Sequence, residues 1–248
     1  MPAGPRHKVV LFDIDHTLLR AGGAGRAALE KAVLALVGRP AQVRSVKYSG
    51  RTDPSILRDL LAVMGAEPTP ELMARIFDLY IELLPAEMGD GTRGLVLPGV
   101  RETLERLSGR DDVHLGLLTG NIARGARIKL APYGLDRVFA FGAYGDDAEE
   151  RPALLPIALE RWRAICGNGT ACAMSDVYVV GDTPNDVAVA RAHGARAVGV
   201  GTGAPYVKRD EMVALAPDFF FDDLTGCRPW IDEVLGDGRG PDLGLDLT

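Results

Sequence analysis

The stretch Lys8-Val9-Val10-Leu11-Phe12-Asp13-Ile14-Asp15-His16-Thr17-Leu18 sets a short apolar run directly against two carboxylates. A continuous run rich in β-branched residues, with no polar alternation, reads as a strand buried on both faces, as in a parallel sheet. Runs of the same kind recur at 113–119, 138–141, 177–182 and 197–200, and Phe219-Phe220-Phe221 supplies a sixth, edge strand. Between them apolar residues repeat at helical spacing over 100–107, 123–130, 154–162 and 184–193, with a last helix near 224–235. Strand and helix in alternation predict an α/β fold, a Rossmann-like wound parallel sheet with right-handed crossovers.

One block breaks the alternation. From about Ala21 to Leu95, helical patterns at 27–37, 56–64 and 72–84 follow one another without a convincing strand. This reads as a helical insertion of residues 21–92 in a core made of 1–20 and 93–248. Its flanks, Gly22-Gly23-Ala24-Gly25 and Gly89-Asp90-Gly91-Thr92-Arg93-Gly94, permit either a hinge or plain flexible connections. The tail beyond Leu235 has no periodicity and is expected to be loosely held.

Composition narrows the function. With 248 residues, 47% hydrophobic and 25% charged, the chain can bury a full core without staples. The 34 acidic against 28 basic side chains leave a formal charge of −6, the wrong sign for broad attraction to nucleic acid or anionic membranes. Cys166, Cys172 and Cys227 form no CxxC pair and leave an odd thiol, which speaks against a disulfide framework. The first residues do not resemble a secretory signal, so a cytoplasmic protein is expected.

The chemistry gathers where strands end. Asp13 and Asp15 follow the first strand, and Asp182 follows the fourth, in Gly181-Asp182-Thr183-Pro184-Asn185-Asp186. Open parallel sheets place ligands at C-terminal strand ends, and like charges held together there call for a cation such as Mg²⁺. Taken singly, each acid could equally cap a turn or a helix. The second strand ends Leu118-Thr119-Gly120-Asn121 at a helix start, which suits an anion as well as it suits a plain N-cap. Arg151, before Pro152, puts a cation at a helix start where the dipole gives it no help, although nearby acids could pair with it.

These four motifs, in this order, resemble those of the haloacid dehalogenase-like (HAD) hydrolase superfamily, over about residues 8–201. The inserted helices are similar to the C1 cap of its phosphoglycolate phosphatase-like branch. One departure stands out: the third motif usually supplies lysine, and this sequence offers Arg151, with Lys129, inside a helix, as the fallback. The resemblance implies hydrolysis of a small phosphorylated metabolite through an aspartyl-phosphate. Asp13 would be the nucleophile. Asp15 would serve as acid and then base, its pKa raised by acidic neighbours. Mg²⁺ would be held by Asp13, the Asp15 backbone carbonyl, Asp182 and Asp186, and phosphate by Thr119, Gly120, Asn121 and Arg151. In the insertion, Gly50 and Arg51 would meet substrate, while His16 and Thr17 shape the turn. A phosphomutase of the same superfamily, or a non-catalytic phospho-ligand binder, would retain the same motifs; a dehalogenase would have no need of Asp15.

Overall fold

The computed structural model describes residues 7–38, 45–167 and 172–236; the tail expected to be loose lies beyond them, apart from Gly236. Six strands form one parallel sheet: β1 (Lys8–Phe12), β4 (Val113–Leu118), β5 (Phe141–Ala143), β6 (Val177–Gly181), β7 (Arg196–Val200) and β8 (Phe219–Phe221), in the order β5-β4-β1-β6-β7-β8. The chain builds outward from β1 through β4 to β5, then returns to start again at β6 on the other side of β1. That reversal makes the gap between β1 and β6 a topological switch point, where side chains at the strand ends can face a ligand.

Alternation along each strand feeds two cores. Val10 and Phe12 of β1, with Tyr178 and Val180 of β6, join the core on the face of α4 (Val100–Ser108), α5 (Ala123–Leu130) and α9 (Arg228–Leu235). Val9, Leu11, Val177 and Val179 join the other, under α6 (Leu154–Cys166), α7 (Pro184–His193) and α8 (Arg209–Ala214). Strands buried on both faces are what the unalternating apolar runs require.

The third expected strand is displaced. Residues 138–140 form no strand, and β5 begins only at Phe141. Gly116 explains the register: it pairs with Phe141, and a Cβ at Gly116 would lie 2.5 Å from the Phe141 ring, so the aromatic fills the space a side chain would need. Val138 and Phe139 pack against the core from the preceding turn.

Between β1 and β4 stand α1 (Ala24–Val37), α2 (Asp53–Val63) and α3 (Pro70–Met88). A short antiparallel ribbon, β2 (Leu19–Arg20) with β3 (Leu95–Val96), joins the two ends of this segment. That ribbon leaves no trace in the sequence pattern, because two residues per strand are too few for a period to register. Helix α1 packs along α3, and Ala28, Leu29, Ile76, Tyr80 and Leu84 are buried in the same cluster as the sheet's face. No helix among the described residues is long and apolar enough to cross a membrane.

Trp162 of α6 is fully buried in the second core. Trp162→Ala should cost about 3–5 kcal/mol of stability, as large-to-small changes at filled aromatic sites do, and a urea titration that leaves the midpoint unmoved would contradict the packing described.

Candidate active site

Asp13 is the first residue past β1, and its N–H donates to Val180 O of β6 at 3.0 Å, which locks the two strand ends side by side. After it the chain turns sharply. Ile14 O accepts from the N–H groups of Thr17, Leu18 and Leu19, and His16 takes a left-handed φ of 60°. His16 is therefore the turn residue the sequence suggested. Thr17 does more than shape the turn: its hydroxyl donates to Asp182 Oδ1 at 3.2 Å.

Asp182 is the first residue past β6, and Asp186 stands in the first turn of α7. With Asp13 they form a buried cluster in which one carboxylate oxygen from each lies within 4.8 Å of the others. Burial, and then the neighbouring Asp186 and Asp13, push the Asp182 carboxyl well above the usual carboxylate range. At such spacing each pair of charges repels by roughly 3–4 kcal/mol at the effective dielectric of a protein. A hard-oxygen cluster that raises its own proton affinity in this way fits a divalent cation, which would replace the protons. The loop after β7 leaves room: a Cβ on Gly203 would fall 2.5 Å from Asp182 Oδ2.

The three acids differ in what remains free. Both oxygens of Asp186 are engaged, Oδ2 by the Thr183 N–H and hydroxyl and Oδ1 by Arg151 Nη2 at 2.5 Å. Asp186 thus completes the capping box of α7 and anchors Arg151 at once, so both its capping reading and its place in the cluster hold. Arg151, buried, also pairs with Asp13 Oδ2 at 2.8 Å. Its guanidinium is raised above its ordinary value because the attraction of Asp13 and Asp186 outweighs burial. Its buried Nε has no hydrogen-bond partner, so the fork keeps a donor to spare.

Asp15 faces elsewhere. Its Oδ2 accepts from Lys129 Nζ at 2.6 Å and from Asn121 Nδ2 at 2.9 Å. This corrects the expectation that acidic neighbours raise its pKa. Burial does push the carboxyl up, but the adjoining Lys129 ammonium, with its hydrogen bond and that of Asn121, brings it below the ordinary value. Lys129 is buried on α5, between Gly125 and Ala126 on one side and Leu130 on the other. The signal was in the sequence: Lys129 occupies the apolar stripe of its helix, three residues after Ala126. A lysine on that face is drawn by an anion, wherever along the helix it lies.

The Thr119-Gly120-Asn121 loop closes the crevice. The Thr119 hydroxyl accepts from Asn121 Nδ2 at 2.9 Å and from Asn121 N at 3.3 Å, which leaves its own O–H to donate. Gly120 is a glycine for a reason of contact, since a Cβ there would strike Arg51 O at 2.0 Å. Residues 50–53, at and just before the start of α2, lie against these loops. Asn185 Nδ2 donates to Gly50 O at 2.6 Å, Thr52 Oγ1 donates to Glu149 O at 2.8 Å, and Asp53 N donates to Gly120 O at 2.7 Å. Arg51 contributes its backbone here, while its guanidinium is held within the insertion by Asp59 and by Ser55 O. The contact made by Asp53 could not be read from sequence. Its Oδ2 accepts the Ile122 N–H at the start of α5 at 2.9 Å, so the insertion caps a core helix.

A family model described as haloacid dehalogenase-like hydrolase matches residues 7–194. A phosphoglycolate phosphatase of Pseudomonas fluorescens is 26% identical over 239 residues, 91% of this chain and 80% of the relative. A phosphoglycolate phosphatase of Pectobacterium atrosepticum is 27% identical over 237 residues, 93% of this chain and 94% of its own length. Among solved structures, a hydrolase from Pseudomonas syringae superposes with a TM-score of 0.69 at 22% identity, covering 92% of this chain and 99% of that one. CbbY from Rhodobacter sphaeroides in complex with phosphate also reaches 0.69, at 18% identity, over 89% and 96% of the two chains.

Asp53 yields a pH prediction. Burial raises its carboxyl from 3.8 to about 6, so the folded state binds its proton more tightly than the unfolded state, and this carboxyl's favourable contribution is lost as pH rises through that window. Asp53→Asn keeps an acceptor for Ile122 and does not titrate. Its melting temperature should therefore gain on wild type as pH rises from about 4 to 6 and hold that gain above it. Thermal scans in which the gap shrinks over that range would contradict this.

Proposed function

The chain belongs to the haloacid dehalogenase-like hydrolases and is therefore an enzyme, and we propose that it is a magnesium-dependent phosphatase that hydrolyses a small organic phosphate monoester through an aspartyl-phosphate. One observation carries the reading: Asp13, Asp182 and Asp186 share a buried crevice with Arg151, which binds Asp13 and Asp186 together. Phosphoglycolate is the first substrate to try, since the relatives above bear its name.

Asp13 attacks phosphorus in line as a carboxylate paired with Arg151, a nucleophile that needs no separate base. As the bond from Asp13 Oδ to phosphorus forms, the ester oxygen departs and takes a proton from Asp15. Water then attacks the phosphorus of the acyl-phosphate and gives a proton back to Asp15, and inorganic phosphate leaves with Asp13 regenerated. The Lys129 contact favours the ionised form of Asp15, which is the form the second half-reaction uses. The Thr119 hydroxyl, the Gly120 and Asn121 backbone amides and Arg151 neutralise the equatorial oxygens from fixed positions.

Magnesium, held by Asp13, Asp182 and the Asp15 backbone carbonyl, would offset the repulsion between an anionic nucleophile and an anionic phosphate. Asp186, its oxygens engaged by Thr183 and Arg151, acts from behind that set. The helical insertion serves as a cap, since the loop from Gly50 to Asp53 roofs the phosphate loop and excludes water there.

Steady-state release of inorganic phosphate from p-nitrophenyl phosphate tests this. Activity should require added Mg²⁺, disappear with EDTA and return on adding the metal back. Asp13→Asn should lower kcat by about 10³-fold or more, the scale of removing a nucleophile. Equal turnover in wild type and Asp13→Asn would overturn the assignment, and an isomerised phosphate ester in place of free phosphate would mean a mutase.

A further inference from the structure

The Thr119-Gly120-Asn121 loop can neutralise phosphate oxygens only as well as it is held, and much of the holding is done by the turn after β5. The Thr119 N–H donates to Ala143 O at 3.1 Å, the Gly145 N–H to Asn121 O at 2.8 Å, and the Ala123 N–H to Asp146 Oδ1 at 3.0 Å. The two segments are pressed together: a Cβ on Gly145 would strike Gly120 O at 2.1 Å. Residues 143–146 therefore back the phosphate loop, and a group that fixes the turn also fixes the loop.

Asp147 is that group. Its Oδ2 accepts the Tyr144 N–H at 2.9 Å, and its own N–H donates to Tyr144 O at 2.9 Å, which closes residues 144–147 on themselves. Arg161 of α6 grips the same carboxylate at both oxygens, Nη1 to Oδ2 and Nη2 to Oδ1, each at 2.6 Å. Its Nη1 also donates to Gly142 O at 2.8 Å. A two-point fork fixes orientation as well as distance. Burial pushes the Asp147 carboxyl up, but the hydrogen bonds from Arg161 bring it below its ordinary value.

The far end of the same helix serves the other half of the phosphate site. The turn Arg151–Ala153 runs straight into Leu154, the first residue of α6. Arg151 and Arg161 thus ride on one nearly continuous helical segment, about 15 Å apart along its axis. Resting on the phosphatase reading, we infer that the Arg161–Asp147 pair is a brace that sets the spacing between the Thr119-Gly120-Asn121 loop and Arg151, the two parts that neutralise the phosphoryl oxygens. Both are positioning residues, acting through the backbone groups they hold. Their side chains are 42% and 18% exposed, and a partly exposed pair adds little to stability. Its effect falls on catalysis, because misplacing groups that face the transition state by about 1 Å costs up to about 100-fold in rate.

The test uses Arg161→Met and Asp147→Asn, the second keeping an acceptor for Tyr144 while losing the second carboxylate oxygen of the fork. With p-nitrophenyl phosphate and Mg²⁺, each should lower kcat by about 10-fold and change KM by less than about 3-fold. The melting temperature should fall by about 3 °C or less. The double variant should lose no more than either single one, as partners in one interaction do. Vanadate, which adopts the five-coordinate geometry of phosphorus under attack, should inhibit both variants about 10-fold more weakly than wild type, while inhibition by inorganic phosphate changes little. If wild type hydrolyses the ester but a single variant keeps its full kcat, if the losses multiply in the double variant, or if vanadate and phosphate weaken by the same factor, the brace is wrong and the phosphatase reading stands. If wild type releases no phosphate with Mg²⁺, the phosphatase reading itself fails, and the brace with it.

Discussion

Three carboxylates are forced together in a buried space, and most of the molecule follows from keeping them there. Asp13 and Asp182 are neighbours because β1 and β6 pair, and the Asp13 N–H to Val180 O bond fixes how far each strand reaches. Their repulsion, several kcal/mol for the cluster at an ordinary protein dielectric, is opposed by groups that the fold delivers from other elements. Arg151 comes in from the turn before α6, Thr17 from the turn after β1, and Thr183 from the cap of α7. The sheet is the scaffold for this arrangement. Its central strands are buried on both faces, so neither strand end can slide without exposing the Val and Leu residues beneath it.

The two cations divide the crevice into halves with different electrostatics. Around Arg151, desolvation and three acids leave a region that seeks further positive charge, and Asp182 is pushed upward. Around Lys129 the balance tips the other way, and Asp15 is drawn down even though it is only two residues from Asp13. A sequence reader who counts acids expects both aspartates of the motif to behave alike. They differ because successive residues after a strand point in different directions, and each meets a cation from a different helix.

Much of this was legible. The apolar runs locate five of six strands, since burial on both faces leaves no alternative composition, and the acids at strand ends identify the crevice because parallel sheets present their ligand side there. The exception, at 138–141, failed because an apolar turn and a short strand have the same composition, and only the vacancy over Gly116 decides between them. Lys129 was set behind Arg151 because a helix start is where one seeks a phosphate cation, yet the helical period places Lys129 on the buried stripe and delivers its ammonium to Asp15. The resemblance turned Gly50 and Arg51 toward substrate, but which hydrogen bonds residues 50–53 make had no sequence signal. They join segments some seventy to a hundred and thirty-five residues apart, each pairing a side chain with a backbone group, and which backbone group a side chain will meet no side-chain pattern encodes.

Those contacts explain why residues 50–53 and the Thr119-Gly120-Asn121 loop form one surface. Gly120 lies against Arg51 O, its own carbonyl accepts from Asp53, and Asp53 in turn caps the helix that carries Lys129. Moving residues 50–53 away would free the Gly120 carbonyl and the Ile122 N–H together, two polar groups that burial penalises until water or the segment returns. The glycines at 50 and 120 permit this approach, since a Cβ at Gly50 would meet Asn185 and Thr183 and one at Gly120 would meet the backbone of Arg51. The same absence of side chains that brings the two parts into contact makes the contact directional. It consists of hydrogen bonds in each of which at least one partner is a fixed backbone group, so their geometry holds in one register of the segment. A seam of that kind has a defined closed position, and in that position Gly25 and Tyr80 stand beside Lys129 at the Asp15 end of the crevice.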